Sequence, residues 1–305
     1  MKIFVTGATG ALGGHVVPAL IAAGHEVTAV ARSAEKAGRL AAAGAFPCEV
    51  SLFDADALAT AFAGHDAVLN VATAIPSTWR FAFARSWRDN ARIRTEGSTA
   101  VVGAAIAAGV PRLVQESIAM TYPDRGDQWI DESVPPDIFP IVTSSPVAEG
   151  NVQRFNASDG TGVVLRFGLF YGPGSVQSRQ MLALARLHFG VLLGRADGYF
   201  SSIHLEDAAS AVIAALDAPA GVYNVVDDEP LTKRDYADAI SAAVGKRAWV
   251  RAPGRLSLLA GANMSSVNRS LRVSNRRFRD ATGWAPRYRS VREGWAATRS
   301  SQQAR

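Results

Sequence analysis

Along the first two-thirds of this 305-residue chain, short apolar runs alternate with Ala-rich stretches that close on glycine. Lys2–Thr6 and residues 26–31, 67–71, 112–116 and 163–167 read as strands. Between them lie "GGHVVPALIAAG", "AEKAGRLAAAG", "DADALATAFAG" and "TEGSTAVVGAAIAAG", each a run of helix formers ending in the residue best suited to a helix stop. Strands and helices that alternate in this way form parallel βαβ units. Their right-handed crossovers lay helices on both faces of one twisted sheet. The length and the 48% hydrophobic content allow one large domain or two intimately joined ones.

After about Gly168 the rhythm loosens. "LEDAASAVIAALDA" and "TKRDYADAISAAVG" read as helices around a short strand, "GVYNVV", and the Arg-, Ser- and Trp-rich remainder reads as a small cap. The expected class is α/β, a Rossmann-type doubly wound sheet over residues 1–167. A smaller lobe over 168–305 would bind substrate, with some segments returning to the first domain.

Gly7, Gly10 and Gly13 stand in the order G-x-x-G-x-x-G, directly after the first strand and opening the first helix. Glycine permits a tight turn and close backbone approach to a pyrophosphate, and the helix N-terminus adds unpaired N–H groups. This turn therefore predicts dinucleotide binding. An acid about twenty residues further on would select NAD through the ribose. The second strand ends instead in Ala31, Arg32 and Ser33. A guanidinium and a hydroxyl suit a 2′-phosphate, so NADP is expected rather than NAD; the alternative is that Arg32 is a solvent-facing strand-end residue.

With these motifs in hand, the chain resembles the extended short-chain dehydrogenases/reductases of the NAD(P)-dependent epimerase/dehydratase type. The likeness runs through "VTGATGALGG", "DAVLNVATA", "AAIAAGVPRLVQES", "VVLRFGLFYGPGS", "SSIHLEDAASAV", "GVYNVVDDEPLT" and "ATGWAPRYRSVREGW". It implies that Gly7, Thr9, Gly10, Ala11 and Leu12 hold the pyrophosphate. Ser51 and Leu52 match an adenine-binding Asp-Leu pair, with Ser in place of Asp. By the same resemblance Val71, Ala72 and Thr73 line the nicotinamide ribose, and Phe167, Gly168, Leu169 and Phe170 touch the nicotinamide end.

One part of the resemblance fails. Its members use a Tyr-x-x-x-Lys pair in which Lys lowers the Tyr pKa and binds the ribose, while Tyr passes a proton to or from the substrate oxygen. The matching stretch is "IVTSSPVAE", with Ile141 at the Tyr position and Ser145 at the Lys position. No Tyr-x-x-x-Lys occurs between Ser117 and Arg166. Pro146 cannot sit inside a helix without removing a hydrogen bond. Ser145-Pro146 therefore reads as an N-cap and first helical residue, leaving 141–145 as loop.

The substitute catalytic candidates are Ser117 and Tyr122, from a segment similar to the family's Ser-rich run after the fourth strand. For each, a packing role is the alternative. Thr143, Ser144 and Ser145 are further hydroxyls, although an unactivated hydroxyl is a poor acid at neutral pH. His204, in "SSIHLED", matches a position between the lobes that faces substrate. Residues 77–94 interleave aromatics and Arg, as either a lid over the site or a partner-facing helix. "DESVPP" reads as an exposed loop, and Glu132 matches a family acid there.

Composition bounds the rest. Cys48 is the lone cysteine, and the five His show no metal-ligand spacing, so neither a disulfide framework nor a metal is expected. No apolar run is long enough for a membrane span, and the N-terminus lacks signal-peptide character, which together read as cytoplasmic. The net charge is +5, yet the segment from Arg251 onward carries twelve Arg against Asp280 and Glu293. These arginines are scattered and come with no nucleic-acid motif, so nucleic acid is not an expected partner. The expected partner is a small-molecule substrate, and a homodimer stays open.

These readings make the chain an NADP-binding, catalytically atypical oxidoreductase acting on a small carbonyl or hydroxyl compound. Two alternatives stand beside it: a non-redox isomerase, cyclase or dehydratase on the same scaffold, and a non-catalytic NADP(H)-sensing protein.

Overall fold

The computed structural model describes residues 1–77, 80–81, 83–190, 194–251 and 268–303. The chain opens with β1 (Lys2–Thr6), α1 (Gly13–Ala22), β2 (Glu26–Val30), α2 (Ala34–Ala42), β3 (Phe46–Cys48), α3 (Ala55–Phe62) and β4 (Ala67–Asn70). It continues with α4 (Arg88–Arg92), α5 (Ser98–Ala107), β5 (Arg112–Ile118), the short β6 (Trp129–Ile130), α6 (Ser145–Asn156) and β7 (Thr161–Phe167). The later strands β8 (Leu169–Tyr171), β9 (Phe189–Gly190), β10 (Tyr199–Phe200) and β11 (Ser202–His204) are short, and β12 is Gly221–Val225. Seven strands form one parallel sheet in the order β12-β7-β5-β4-β1-β2-β3. The chain winds outward from β1 to β3 and then returns to β4 on the other side of β1, so the order reverses between β1 and β4. A crevice opens beyond the carboxyl ends of the strands at such a reversal.

Period-two alternation decides which residues fill which face. Along β1, Ile3 and Val5 join the apolar layer beneath α1 and the helix Leu205–Ala214, while Phe4 joins the opposite layer with Leu58, Phe62, Val101 and Val164. All of these side chains are buried. The helix Leu205–Ala214 and β12 both come from beyond residue 168, so the later part of the chain supplies one layer and one edge of the first sheet.

The second lobe packs the helices Val176–Arg186, Lys233–Ala243 and Val291–Gln303 around Tyr171, Leu182, Tyr236, Ile240 and Trp295. Trp295 is fully buried, its ring 5.2 Å from that of Tyr171.

Three local readings are corrected. β3 was not expected: it is three residues long, contains Pro47 and is mostly exposed, and edge strands tolerate both traits. β5 extends past Glu116 to Ile118 because β7 pairs alongside it, with Ser117 opposite Arg166 and Ile118 opposite Phe167. Helix α6 begins at Ser145, with Ser144 at the N-cap and Pro146 in the first turn, so the start lies one residue earlier than expected. Ahead of it, residues 140–142 form one 3₁₀ turn.

Trp295→Ala empties a fully enclosed site in the second lobe and is expected to cost about 3–5 kcal/mol. Chemical denaturation checks this by a lowered midpoint.

Candidate cofactor and active site

The glycine turn has the shape a dinucleotide requires. Gly7 has φ +69°, and a Cβ there would lie 2.5 Å from the Ala72 Cα, so the turn after β1 lies directly against the chain leaving β4. Gly13 is equally constrained, by the Gly7 carbonyl and by Ala8. The Gly10 N–H closes the turn on the Gly7 carbonyl at 2.9 Å. The N–H groups of Ala11, Leu12 and Gly13 find no partner among the described residues. They are the free donors of a helix start and are available to phosphate. Thr9 is half-buried, Gly10 and Ala11 are exposed, and Leu12 is buried in the layer below.

Arg32 is exposed at the end of β2 and has no ion-pair partner among the described residues. Ser33 beside it caps α2, its hydroxyl accepting from the Lys36 N–H at 3.3 Å. Ser51 is exposed and accepts from the Phe53 N–H at 3.2 Å, while Leu52 packs against the apolar layer below α3 and α5. Val71 and Ala72 are buried and Thr73 is half-buried at the mouth of the crevice. Gly168 is buried where a Cβ would meet the Ser201 carbonyl at 2.8 Å, which lets Phe167, Leu169 and Phe170 cross between the main sheet and the strand Ser202–His204. The Phe167 and Phe170 rings lie 5.2 Å apart.

At Ile141, the position that the resemblance matches to a proton-donating tyrosine, the surroundings are apolar. Ile141 packs with Trp87, Ile118, Phe139 and Val142 in one buried cluster, with Phe81 and Met120 at its edge. Trp87 is fixed by donation from its indole N–H to the Phe81 carbonyl at 2.8 Å. The aromatic and Arg-rich stretch therefore contributes one wall of this region; its residues 78, 79 and 82 lie outside the described residues.

Ser117 and Tyr122 are both fully buried and engaged in packing contacts. The Ser117 hydroxyl donates to Glu149 at 2.6 Å. Tyr122 donates to Asn224 Oδ1 at 2.9 Å and accepts from Arg166 Nη1 at 2.8 Å. Burial pushes the Tyr122 hydroxyl above its ordinary range against the pull of Arg166, which makes it a weaker acid. Arg166 and Glu149 complete this group through two hydrogen bonds, at 2.9 and 2.6 Å. Glu132 accepts from the Asn224 N–H at 2.6 Å and so ties its loop to the edge strand β12.

His204 also differs from expectation. It is buried and caps the helix it precedes, Nδ1 accepting from the Glu206 N–H at 3.3 Å. That bond assigns the ring proton to Nε2, which is buried without a hydrogen-bond partner among the described residues. Desolvation lowers its pKa to about 4.

Sequence reasoning missed the deepest polar features. Thr6 donates to Asn70 at 2.6 Å, Asn70 to Gln115 at 2.8 Å, and Gln115 to the Glu116 carbonyl at 2.8 Å, which makes one chain across the ends of β1, β4 and β5. The Glu116 carboxylate accepts two bonds from Arg94, at 2.7 and 2.6 Å. The available signal was "LVQES", in which an acid sits inside a strand flanked by strands on both sides and so demands a cation. Among the described residues no group of three or more His, Cys, Asp or Glu is placed to hold a metal, and no helix is long and apolar enough to cross a membrane.

A turn of this geometry at a strand-order reversal defines a nicotinamide-dinucleotide fold. The NAD dependent epimerase/dehydratase family matches residues 3–226, and the chain belongs to it as an NAD(P)-binding member. A Streptomyces protein named 3-diazoavenalumate denitrifying reductase is 34% identical over 96% of this chain and 99% of its own length. The human epimerase family protein SDR39U1, solved with NADPH, superposes with TM-score 0.80 at 24% identity over 98% of this chain and 99% of that one. The UDP-glucose 4-epimerase of Thermotoga maritima reaches TM-score 0.82 at 21% identity over 100% and 99% of the two chains. These two structures share the fold.

A neutral, buried His204 takes up its proton more readily in the unfolded chain. Stability is therefore expected to fall as pH drops from the ordinary histidine value of 6.5 toward about 4. His204→Asn, which keeps a capping acceptor, should flatten thermal-denaturation midpoints across that window.

Proposed function

We propose that this protein is an NADPH-dependent reductase that replaces the dinitrogen group of an aryl diazonium compound with hydrogen. The observation that carries the reading is Ile141, an apolar side chain within a buried apolar cluster where the resemblance calls for a proton donor.

A carbonyl accepting hydride becomes an alkoxide that must be protonated, and losing the general acid there typically costs about 10²–10⁴-fold in rate. A diazonium ion carries its own positive charge. When bound, the dihydronicotinamide supplies a hydride, and ArN₂⁺ + NADPH → ArH + N₂ + NADP⁺ balances without a proton. An active site for this reaction has no need of an acid, and the wall around Ile141, Trp87 and Ile118 suits an arene. The relative at 34% identity, named as a denitrifying reductase of a diazo compound, supports the same class of chemistry.

The chain's own groups have separate duties. The Gly7–Leu12 turn and the start of α1 would hold the pyrophosphate, and Val71, Ala72 and Thr73 would border the nicotinamide ribose. The apolar cluster would exclude water from the electrophile. Arg32 would take the 2′-phosphate: it is exposed, lies beyond the strand end where an acid would select NAD, and has no competing acid among the described residues.

Two measurements test the reading. With NADPH deuterated at C4 in ordinary water, a simple diazonium benzoate should yield nitrogen and an arene carrying one deuterium, above the rate without protein. An arene bearing only solvent hydrogen, or no turnover, overturns the assignment. Arg32→Ala should weaken NADPH by roughly 10- to 100-fold, as befits a charged hydrogen bond of about 1.5–3 kcal/mol. Fluorescence titration should show NADH unchanged in the same variant.

A further inference from the structure

Arg94 is a buried cation that the proposed reduction leaves without a task. It stands where α4 passes into α5 through one wide π turn, Ile93–Gly97, a local departure from helix geometry that is frequent at functional sites. Its side chain is 2% exposed. Nη2 makes both bonds to Glu116, and Nη1 reaches the Ser145 hydroxyl oxygen at 3.4 Å. Nε is buried and has no hydrogen-bond partner among the described residues. An ion pair that served packing alone would be expected to satisfy every buried donor.

The surroundings connect Arg94 to the cofactor crevice from two directions. Glu116 ends the polar chain that runs through Gln115 and Asn70 to Thr6, the residue before Gly7. Asn90, four residues before Arg94, accepts from the Ala74 N–H at 3.1 Å and so holds the segment just after Val71, Ala72 and Thr73. Arg94 thus lies on the β4–β5 side of the strand-order reversal, across β1 from Arg32 at the end of β2.

We propose that Arg94, clamped by Glu116, is a positioning residue for the nicotinamide half of the cofactor. It acts through the Ser145 hydroxyl at the start of α6 and through the polar chain that ends at Thr6. The inference rests on cofactor binding and is independent of the diazonium reading, so the two fail separately. Because Glu116 cancels its charge, Arg94 provides hydrogen-bond direction without adding net positive charge beside the crevice.

The test reads binding rather than turnover. Arg94→Met combined with Glu116→Leu removes both charges together and refills the space with apolar atoms, an exchange that buried ion pairs tolerate. Calorimetric titration compares NADPH with adenosine 2′,5′-bisphosphate, which carries the adenine half alone. NADPH affinity should fall at least about 10-fold, the loss of a charged hydrogen bond, while the bisphosphate binds as before. An unchanged NADPH affinity, or an equal loss for both ligands, overturns the proposal. Ser145→Ala, with the ion pair intact, should give a smaller loss that is again confined to NADPH. An unchanged NADPH affinity in that variant overturns the route through Ser145, and it is the deciding result if the double variant does not fold.

Discussion

The contact on which everything else depends is that between Gly7 and Ala72. At φ +69°, with no room for a Cβ, Gly7 brings the turn after β1 against the chain leaving β4. This contact closes the floor of the crevice at the point where the strand order reverses. It also sets the direction in which α1 leaves, and hence where its free N–H groups point. The residues on either side, Thr6 and Asn70, are joined by a 2.6 Å hydrogen bond, so the turn is braced from below as well as from the front. The shape of the turn is in this sense a property of backbone packing between two strands.

Around that floor the protein buries an unusual amount of charge. Arg94 with Glu116, and Arg166 with Glu149, lie within or against the central strands. Burial pushes the Glu116 carboxyl upward and Arg94 opposes it. Desolvation acts against the charge on Arg166, but Glu149 and Tyr122 together outweigh it and its pKa is raised. Such pairs seldom add much stability over apolar packing, although removing one partner is expensive. Their effect here is to fix the relative register of α4, α5, α6, β5 and β7 beneath the site, which apolar side chains of similar size would define less sharply.

Much of the fold was legible because it rests on period and punctuation. Lys2–Thr6 matches its strand, and "GVYNVV" returns to the sheet as β12. The tight turn after β1 was legible from its glycine spacing, since it is built from a few neighbouring residues of one short segment. Ser117, Tyr122 and His204 were harder, because a hydroxyl or imidazole near a strand end has the same sequence signature whether it faces a cleft or a buried partner. Their partners, Glu149, Asn224 and Glu206, include two from elements distant in sequence. Arg94 was hidden for the same reason: in "NARIRTEG" it reads as one more solvated arginine, and only the approach of the π turn Ile93–Gly97 to β5 reveals its acid.

The start of α6 also bears on how such a protein could change. Pro146 lies in the first turn, Ile141 is locked among aromatic and aliphatic neighbours, and Ser145 already faces a guanidinium. A tyrosine at position 141 and a lysine at position 145 would therefore bury a hydroxyl among hydrocarbons and set a second cation against Arg94. Neither single step is favourable before the other changes around it have been made. Positions 141 and 145 are in this sense held by their neighbours, one by apolar packing and one by a buried cation. Substitutions are less constrained in the second lobe, whose core is packed separately from the start of α6.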